Sequence, residues 1–135
     1  PTNMGSVKMS IERQISVMLK NRPGQLAAVG DALTDAGVNL IALSVVDASD
    51  HAVMRLVTSD WAATRKTIEA LGHSTVMNKV LAIELPHEKG ALAAASAKLA
   101  SADVNIHYIY GSAAGRNSVL VAHVSNLEAA QKALG

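Results

Sequence analysis

The sequence predicts an α+β fold of two ferredoxin-like βαββαβ units in tandem, each an antiparallel sheet with helices on one face. The first observation behind this prediction is an internal repeat, because the chain matches itself at an offset of 66 residues. The second is that strand-like and helix-like spacings of apolar residues follow each other in the same order in both copies. The third is composition: 135 residues, 50% hydrophobic but only 2% aromatic, are typical of a globular chain with a core of small and aliphatic side chains.

The repeat runs without a gap and divides the chain into a first unit, 14–78, and a second unit, 79–135. Its informative identities are two pairs, Gly24 with Gly90 and Asn39 with Asn105. Both copies keep the 15-residue spacing between the glycine and the asparagine inside matching hydrophobic patterns. The alanine identities carry little weight, because 24 of the 135 residues are alanine.

Each unit is predicted to begin with a strand and a helix. The segments 14–20 and 79–86 alternate in polarity, which is typical of strands with one buried face. The helix after each strand has apolar residues at helical spacing, at positions 26, 29, 33 and 36 and at positions 92, 95, 99 and 102. Pro23 suits the first helical position and Gly37 the C-terminal cap, where the second unit has Asp103.

A second strand, a third strand and a second helix follow in each unit. The strands are predicted at 38–47 and 52–58 in the first unit and at 104–111 and 118–124 in the second. The caps of the second helices are Ser59 or Asp60 and Ser125 or Asn126.

The last strand differs between the units. The first unit closes with a short strand near 74–78, whereas the sequence stops at Gly135 where the second unit still needs its fourth strand. Three explanations stay open: residues 6–12 supply that strand from the other end of the chain, the edge pairs with another subunit because bare sheet edges invite pairing, or the chain is shortened.

Charge and composition exclude several classes of function. Twelve basic and eleven acidic residues give a net charge of +1, so the field that gathers nucleic acid is missing. The absence of cysteine excludes thiolate chemistry and fits a reducing, cytoplasmic location, and no apolar run approaches the roughly 18 residues of a membrane span. The five histidines include no i,i+4 pair, which predicts no metal site, and no cofactor is expected. No nucleophile, base and orienting group can be assembled, so the prediction is a protein that is not an enzyme.

The two strand-to-helix turns are the candidate sites. A glycine there allows close approach of the backbone to a ligand, and a helix N-terminus favours a carboxylate. A nearby asparagine amide both accepts from an ammonium group and donates to a carboxylate, so the combination suits a zwitterion. The alternative is that each glycine only permits the turn and each asparagine only bonds local backbone.

The residues around the first turn resemble a known family. The run 19–26 (LKNRPGQL), followed by 36–40 (AGVNL), resembles the signature of ACT domains, which are amino-acid-sensing regulatory modules. The resemblance covers both copies, residues 14–135, and is closest to stand-alone tandem ACT proteins. In the second copy the turn is degenerate, with His87-Glu88-Lys89-Gly90 in place of Asn-Arg-Pro-Gly.

The resemblance implies a ligand held between neighbouring units by the turn of one and the asparagine of the other. Asn21 and Gly24 are then expected to face Asn105, while His87 and Gly90 face Asn39. Leucines stand where serine-sensing relatives have an upstream loop histidine, which leaves the side-chain preference open. The implied ligand-binding residues are Asn21, Arg22, Gly24, Leu26, Asn39, Leu40, His87, Gly90, Leu92, Asn105 and Ile106.

These observations predict a non-catalytic regulatory protein that binds a small free amino acid. The alternative is a structural or docking subunit of an amino-acid-metabolism enzyme, without a ligand of its own. Residues 119–124 (VLVAHV) are apolar on both strand faces, so something is expected to cover the second face. A homodimer formed by sheet stacking is the preferred explanation, and docking onto a metabolic enzyme is the other.

Overall fold

The computed structural model of the chain describes residues 7–20, 22–86, 88–114 and 117–135. Its helices and strands are β1 (Lys8–Lys20), α1 (Gln25–Asp35), β2 (Leu40–Ala48), β3 (His51–Thr58), α2 (Trp61–Ala70), β4 (Thr75–Pro86), α3 (Ala91–Ser101), β5 (Ile106–Ala114), β6 (Asn117–Val124) and α4 (Leu127–Leu134). The chain forms two compact units, which we call the first unit (13–78) and the second unit (79–135 with 7–12). Both have the ferredoxin-like α+β architecture, so the predicted fold class is confirmed.

The first unit has the strand order β2-β3-β1-β4, with residues 75–78 of β4 at its edge. Strand β3 pairs antiparallel with both β1 and β2. Alternate residues of β1 and β3 turn one face of the sheet towards the two helices. The buried cluster on that face consists of Ile15, Val17, Leu19, Val29, Leu33, Met54, Leu56 and Ile68.

The second unit repeats this arrangement with β5-β6-β4-β1. Strand β6 pairs antiparallel with β4 and β5. Residues 8–12 of β1 belong to this unit, and Val7 and Met9 pack against its core. The core itself consists of Leu81, Ile83, Leu85, Ala91, Ala95, Leu99, Val104, Ala122, Val124, Ala130 and Leu134.

Some predicted boundaries are wrong. Strand β4 is continuous over Thr75–Pro86, where a short strand and a separate strand were predicted, because the backbone stays extended through Asn78 and Lys79. Helix α1 begins at Gln25 and not at Pro23, because Gly24 has φ of 89° and lies outside the helical region. Leu26 and Leu92, predicted for the helical core, are 49% and 55% exposed because they lie on the outer side of the first turn.

The ends of α1 and α3 match between the units. After α1, Gly37 has φ of 73°, and the N–H of Val38 donates to the Leu33 carbonyl at 3.0 Å. After α3, Asp103 takes the same left-handed conformation with φ of 58°. Both helices thus end in a Schellman motif, with aspartate accepted where glycine is the commoner residue.

The N-termini of α2 and α4 also match. Asp60 accepts a hydrogen bond from the N–H of Ala63 at 3.0 Å, and Asn126 does the same from Ala129 at 3.0 Å. These two residues, and not Ser59 or Ser125, are the N-caps.

We expect Gly24→Ala to lower the free energy of unfolding by about 1–2 kcal/mol, because a side chain disfavours the left-handed region. Space is not the reason, since no atom lies within 4 Å of a Cβ added there. Gly30→Ala is the matched control: this glycine lies within α1 with equally open space, so we expect a gain of about 0.5–1 kcal/mol. Urea denaturation of both variants measures the difference, and equal effects would contradict the conformational explanation.

Candidate functional site

The two strand-to-helix turns have the same conformation. Gly24 and Gly90 are the N-caps of α1 and α3, with φ of 89° and 83°. Neither helix has a capping hydrogen bond from its N-cap side chain or an acidic residue in its first turn. The first N–H groups of an α-helix have no partner inside the helix and form its positive end. Each turn therefore offers a place where a carboxylate is stabilised.

The asparagines at the start of β2 and β5 are held through their main chain. The N–H of Asn39 donates to Ser59 Oγ at 3.1 Å, and its carbonyl accepts from the Ser59 N–H at 2.9 Å. Asn105 makes the same two bonds with Ser125, both at 2.9 Å. We call this pair of bonds the Asn–Ser clamp.

The clamp explains the repeated serine but not the repeated asparagine. Ser59 and Ser125 contribute a side-chain oxygen, whereas Asn39 and Asn105 contribute only groups that nearly every residue has. Both asparagine side chains are exposed. That of Asn105 lies 3.5 Å from His107 Nδ1, at the limit of a hydrogen bond. The amides are therefore not required by the local fold.

A cavity of about 520 Å³ adjoins the turn of the second unit. Its walls come from the end of β4, the turn that follows it, the first residues of α3 and the first half of β6. The lining residues are Leu85, Pro86, Glu88, Lys89, Ala91, Leu92, Ser118 and Leu120. Leu85 and Ala91 are almost fully buried and form an apolar floor, while Glu88 and Lys89 are exposed at the rim. This size and lining are typical of small-molecule sites.

The first unit has a different cavity, of about 400 Å³, at the corresponding turn. It is lined by Met18, Lys20, Arg22, Gln25, His51, Gly72, His73 and Ser74. Most of these described side chains are polar or basic, and none of them is acidic. The two turns are therefore alike in backbone and unlike in the cavities beside them.

The structure describes only some of the predicted site residues. Asn21 and His87 lie outside the described residues. Arg22 lines the cavity of the first unit and Leu92 that of the second. Gly24 and Gly90 cap the helices beside these cavities.

The residues that open the second strands show unequal burial. Leu40 is 52% exposed at the start of β2. Ile106 is half-buried and packs against the core of the second unit. The resemblance implies that each turn faces the asparagine of the other unit, and this stays a prediction.

Sequence reasoning missed Glu88, Lys89, Ser118 and Leu120 as a set. They are brought together by the pairing of β4 with β6, in which Leu85 lies opposite Ser118. Of their counterparts in the first unit only Arg22, the counterpart of Glu88, was predicted as a site residue, and the repeat gave no further signal because the paired side chains differ, as with Met54 for Leu120.

In the described part of the chain, no group of three His, Cys, Asp or Glu residues is placed to hold a metal ion. None of the helices described is both long and apolar enough to cross a membrane.

Comparison with known proteins identifies the family and the fold. A family model described as an ACT domain pair matches residues 9–134. No curated protein matches the sequence significantly. The chain is similar to a solved protein of Bacteroides thetaiotaomicron, with 27% identity and a TM-score of 0.88 over 93% of this chain and 88% of that one.

Two regulatory subunits of aspartate kinase share the fold. The one from Thermus thermophilus has 19% identity and a TM-score of 0.74, covering 95% of this chain and 93% of its own. The one from Thermus flavus has 20% identity and a TM-score of 0.69, covering 95% and 94%.

We expect Ser59→Ala to lower the free energy of unfolding by about 0.5–1.5 kcal/mol, because it removes the side-chain half of the clamp. Asn39→Ala retains both main-chain groups and should change stability by less than about 0.5 kcal/mol. Urea denaturation compares the two variants. A cost for Asn39→Ala as large as that for Ser59→Ala would mean that the asparagine is present for local structure.

Proposed function

This chain belongs to the family of ACT domain pairs, and we propose that it is a non-catalytic regulatory protein that binds a small amino acid at the turn of its second unit. The observation that carries the proposal is the cavity of about 520 Å³ beside the N-terminus of α3. Its lining offers a separate partner for each part of an amino acid.

In this proposal the carboxylate of the bound amino acid lies at the start of α3. Gly90, the N-cap, has no side chain to occupy the helix end, and Lys89 adds a positive charge at the rim. Main-chain N–H groups, the helix dipole and an ammonium group together favour an anion at this position.

The ammonium group and the side chain of the bound amino acid have partners on the other walls of the cavity. Glu88 supplies a carboxylate, and Ser118 an oxygen that accepts a hydrogen bond. The floor of Leu85, Ala91 and Leu120 offers only apolar surface to the ligand's side chain. We therefore propose an amino acid with an apolar side chain, since a polar one would lose its hydrogen bonds on burial.

A catalytic role has less support. Within the described residues Ser118 has no hydrogen bond to a base, and a nucleophile is activated by such a contact. The regulatory role is supported by the fold that this chain shares with the two Thermus regulatory subunits. Regulation requires that the amino acid bind two states of the protein, or of a complex, with different affinity. Cytoplasmic localisation stays a prediction from the sequence.

The second candidate, a docking subunit, is favoured by an exposed apolar strand. Strand β2 lies at one edge of the first unit. Its exposed apolar residues are Leu40, Ile41, Leu43, Val45 and Val46, between 38% and 57% exposed. An exposed apolar edge strand of this kind pairs readily with another chain.

The proposed homodimer contact moves to this strand. The sequence-based expectation of sheet stacking placed it on the second face of β6, where Val119 is 44% exposed and Val121 only 2% exposed in the single chain. Antiparallel pairing of two β2 strands about Leu43 would set Leu40 opposite Val46 and Ile41 opposite Val45. Every exposed apolar side chain of the strand then meets another, as a twofold interface requires.

We expect at least one of the twenty amino acids to bind in calorimetry, and to raise the free energy of unfolding by about 2.7 kcal/mol at a hundred times its Kd. Ala91→Gln should abolish binding, because it fills the cavity with the residue that the first unit has at position 25. Ala93→Gln, on the exposed side of the same helix, is the control and should bind normally. Circular dichroism establishes that both variants fold. The absence of binding by all twenty amino acids, or equal binding by both variants, would refute the site.

We expect Leu43→Lys to convert a dimer into a monomer, since it places a charge in the centre of the β2 contact. Ile109→Lys is the matched control, because this residue occupies the corresponding position of β5 and is 39% exposed, against 38% for Leu43. Light scattering coupled to size exclusion gives the mass of each variant. A monomeric wild type, or the same change in both variants, would exclude β2 as the dimer contact.

A further inference from the structure

The cavity of the first unit gathers basic side chains. Of the eight described residues that line it, four carry basic groups and none carries a carboxylate. These four are Lys20, Arg22, His51 and His73. In a chain with nearly equal numbers of acidic and basic residues, such a grouping is a local excess of positive charge.

Part of this positive charge is brought together by the pairing of β1 with β3. Lys20 at the end of β1 lies directly opposite His51 at the start of β3. Opposite residues of an antiparallel pair project to the same side of the sheet, where like charges repel. An anion that lies between the Lys20 ammonium group and the His51 imidazole can accept a hydrogen bond from each.

Helix α1 adds to the same potential. Gln25, its first residue, lines the cavity. The N-cap before it is Gly24, and the first turn contains no acidic residue. The positive end of the helix is therefore directed at the cavity that the four basic residues line.

The nearest carboxylates in the sequence do not compensate this charge. Asp50 precedes His51 but does not line the cavity. Glu69 lies one turn before His73, and its Oε1 accepts from Arg65 Nε at 3.0 Å and from Thr75 Oγ1 at 3.4 Å. Its charge is thus engaged outside the cavity.

The second unit lacks this arrangement. Its counterparts of Lys20, Arg22 and His51 are Pro86, Glu88 and Asn117. Since the fold is the same in both units, the fold does not require basic residues at these positions.

From the cavity, the four basic groups and the helix end, we infer that the first unit binds a small multiply charged anion, as the phosphate group or the paired carboxylates of a metabolite would provide. Lys20 and Arg22 supply permanent charge, and the two imidazoles supply donors that also report binding. Met18 and the remaining volume of the 400 Å³ cavity leave room for an uncharged part of the ligand. This site is independent of the amino-acid site proposed for the second unit.

The test is a titration of the full chain with inorganic phosphate at constant pH and ionic strength, followed by the imidazole resonances in NMR. We expect saturable shifts of His51 and His73, while His107 and His123 of the second unit stay unchanged as internal controls. A parallel titration with succinate distinguishes phosphate from paired carboxylates as the preferred group. Shifts that grow linearly without saturation, or that are equal in all four histidines, would overturn the inference.

Two variants connect the shifts to this cavity. Lys20→Gln should weaken phosphate binding about tenfold, because it removes a charge-assisted contact. Lys66→Gln removes the same charge from the exposed surface of α2 in the same unit, and should leave the affinity unchanged. Amide spectra establish that both variants are folded. An equal loss in both would mean that phosphate responds only to net charge, which would also overturn the site.

No amino acid is present in these titrations. A negative result therefore leaves the amino-acid site of the second unit untouched, and a failure of the amino-acid panel leaves the anion site untouched.

Discussion

The Asn–Ser clamp is the constraint on which the geometry of both units depends. It joins the asparagine just before the second strand to the serine just before the N-cap of the second helix. The N–H and the carbonyl of the asparagine bond the Oγ and the N–H of the serine. One residue further on, the strand pairing slips at a bulge, between Leu40 and Ala42 in the first unit and between Ile106 and Tyr108 in the second. The clamp and the bulge together fix which side chains of the edge strand face the helices.

The sequence predicted those parts of the fold that depend on local patterns. Alternation identified the strands, the 3.6 period identified the helices, and residues such as Asp60 and Gly37 marked helix ends through their own conformational preferences. Boundaries failed where the decisive factor was a single dihedral angle, as at Gly24, which moved the start of α1 past Pro23. A repeated glycine indicates that a turn is present, but it does not indicate the residue at which the helix begins.

The cavities were beyond sequence reasoning for a different reason. The walls of the second-unit cavity combine the turn between β4 and α3 with residues of the distant strand β6, and they include Ala91 and Leu120 where the first unit has Gln25 and Met54. The basic cavity is equally dispersed, because Lys20 and His51 meet only through strand register. A net charge of +1 conceals such a cluster, since acidic residues elsewhere balance the total.

The two units therefore share the turns and caps that the fold requires, and they differ at positions where the fold requires no particular side chain. Schellman ends, N-caps and clamps recur with nearly equal distances, and they depend on main-chain groups or on short polar side chains that both copies keep. Lining positions are free of these constraints, and there Lys20 is replaced by Pro86 and Gln25 by Ala91. A duplicated module whose backbone is held in this way can change the ligand of one copy without loss of the fold. The apolar cavity and the basic cavity are the bases of two separate proposals, and any coupling between two such sites must act equally in both directions.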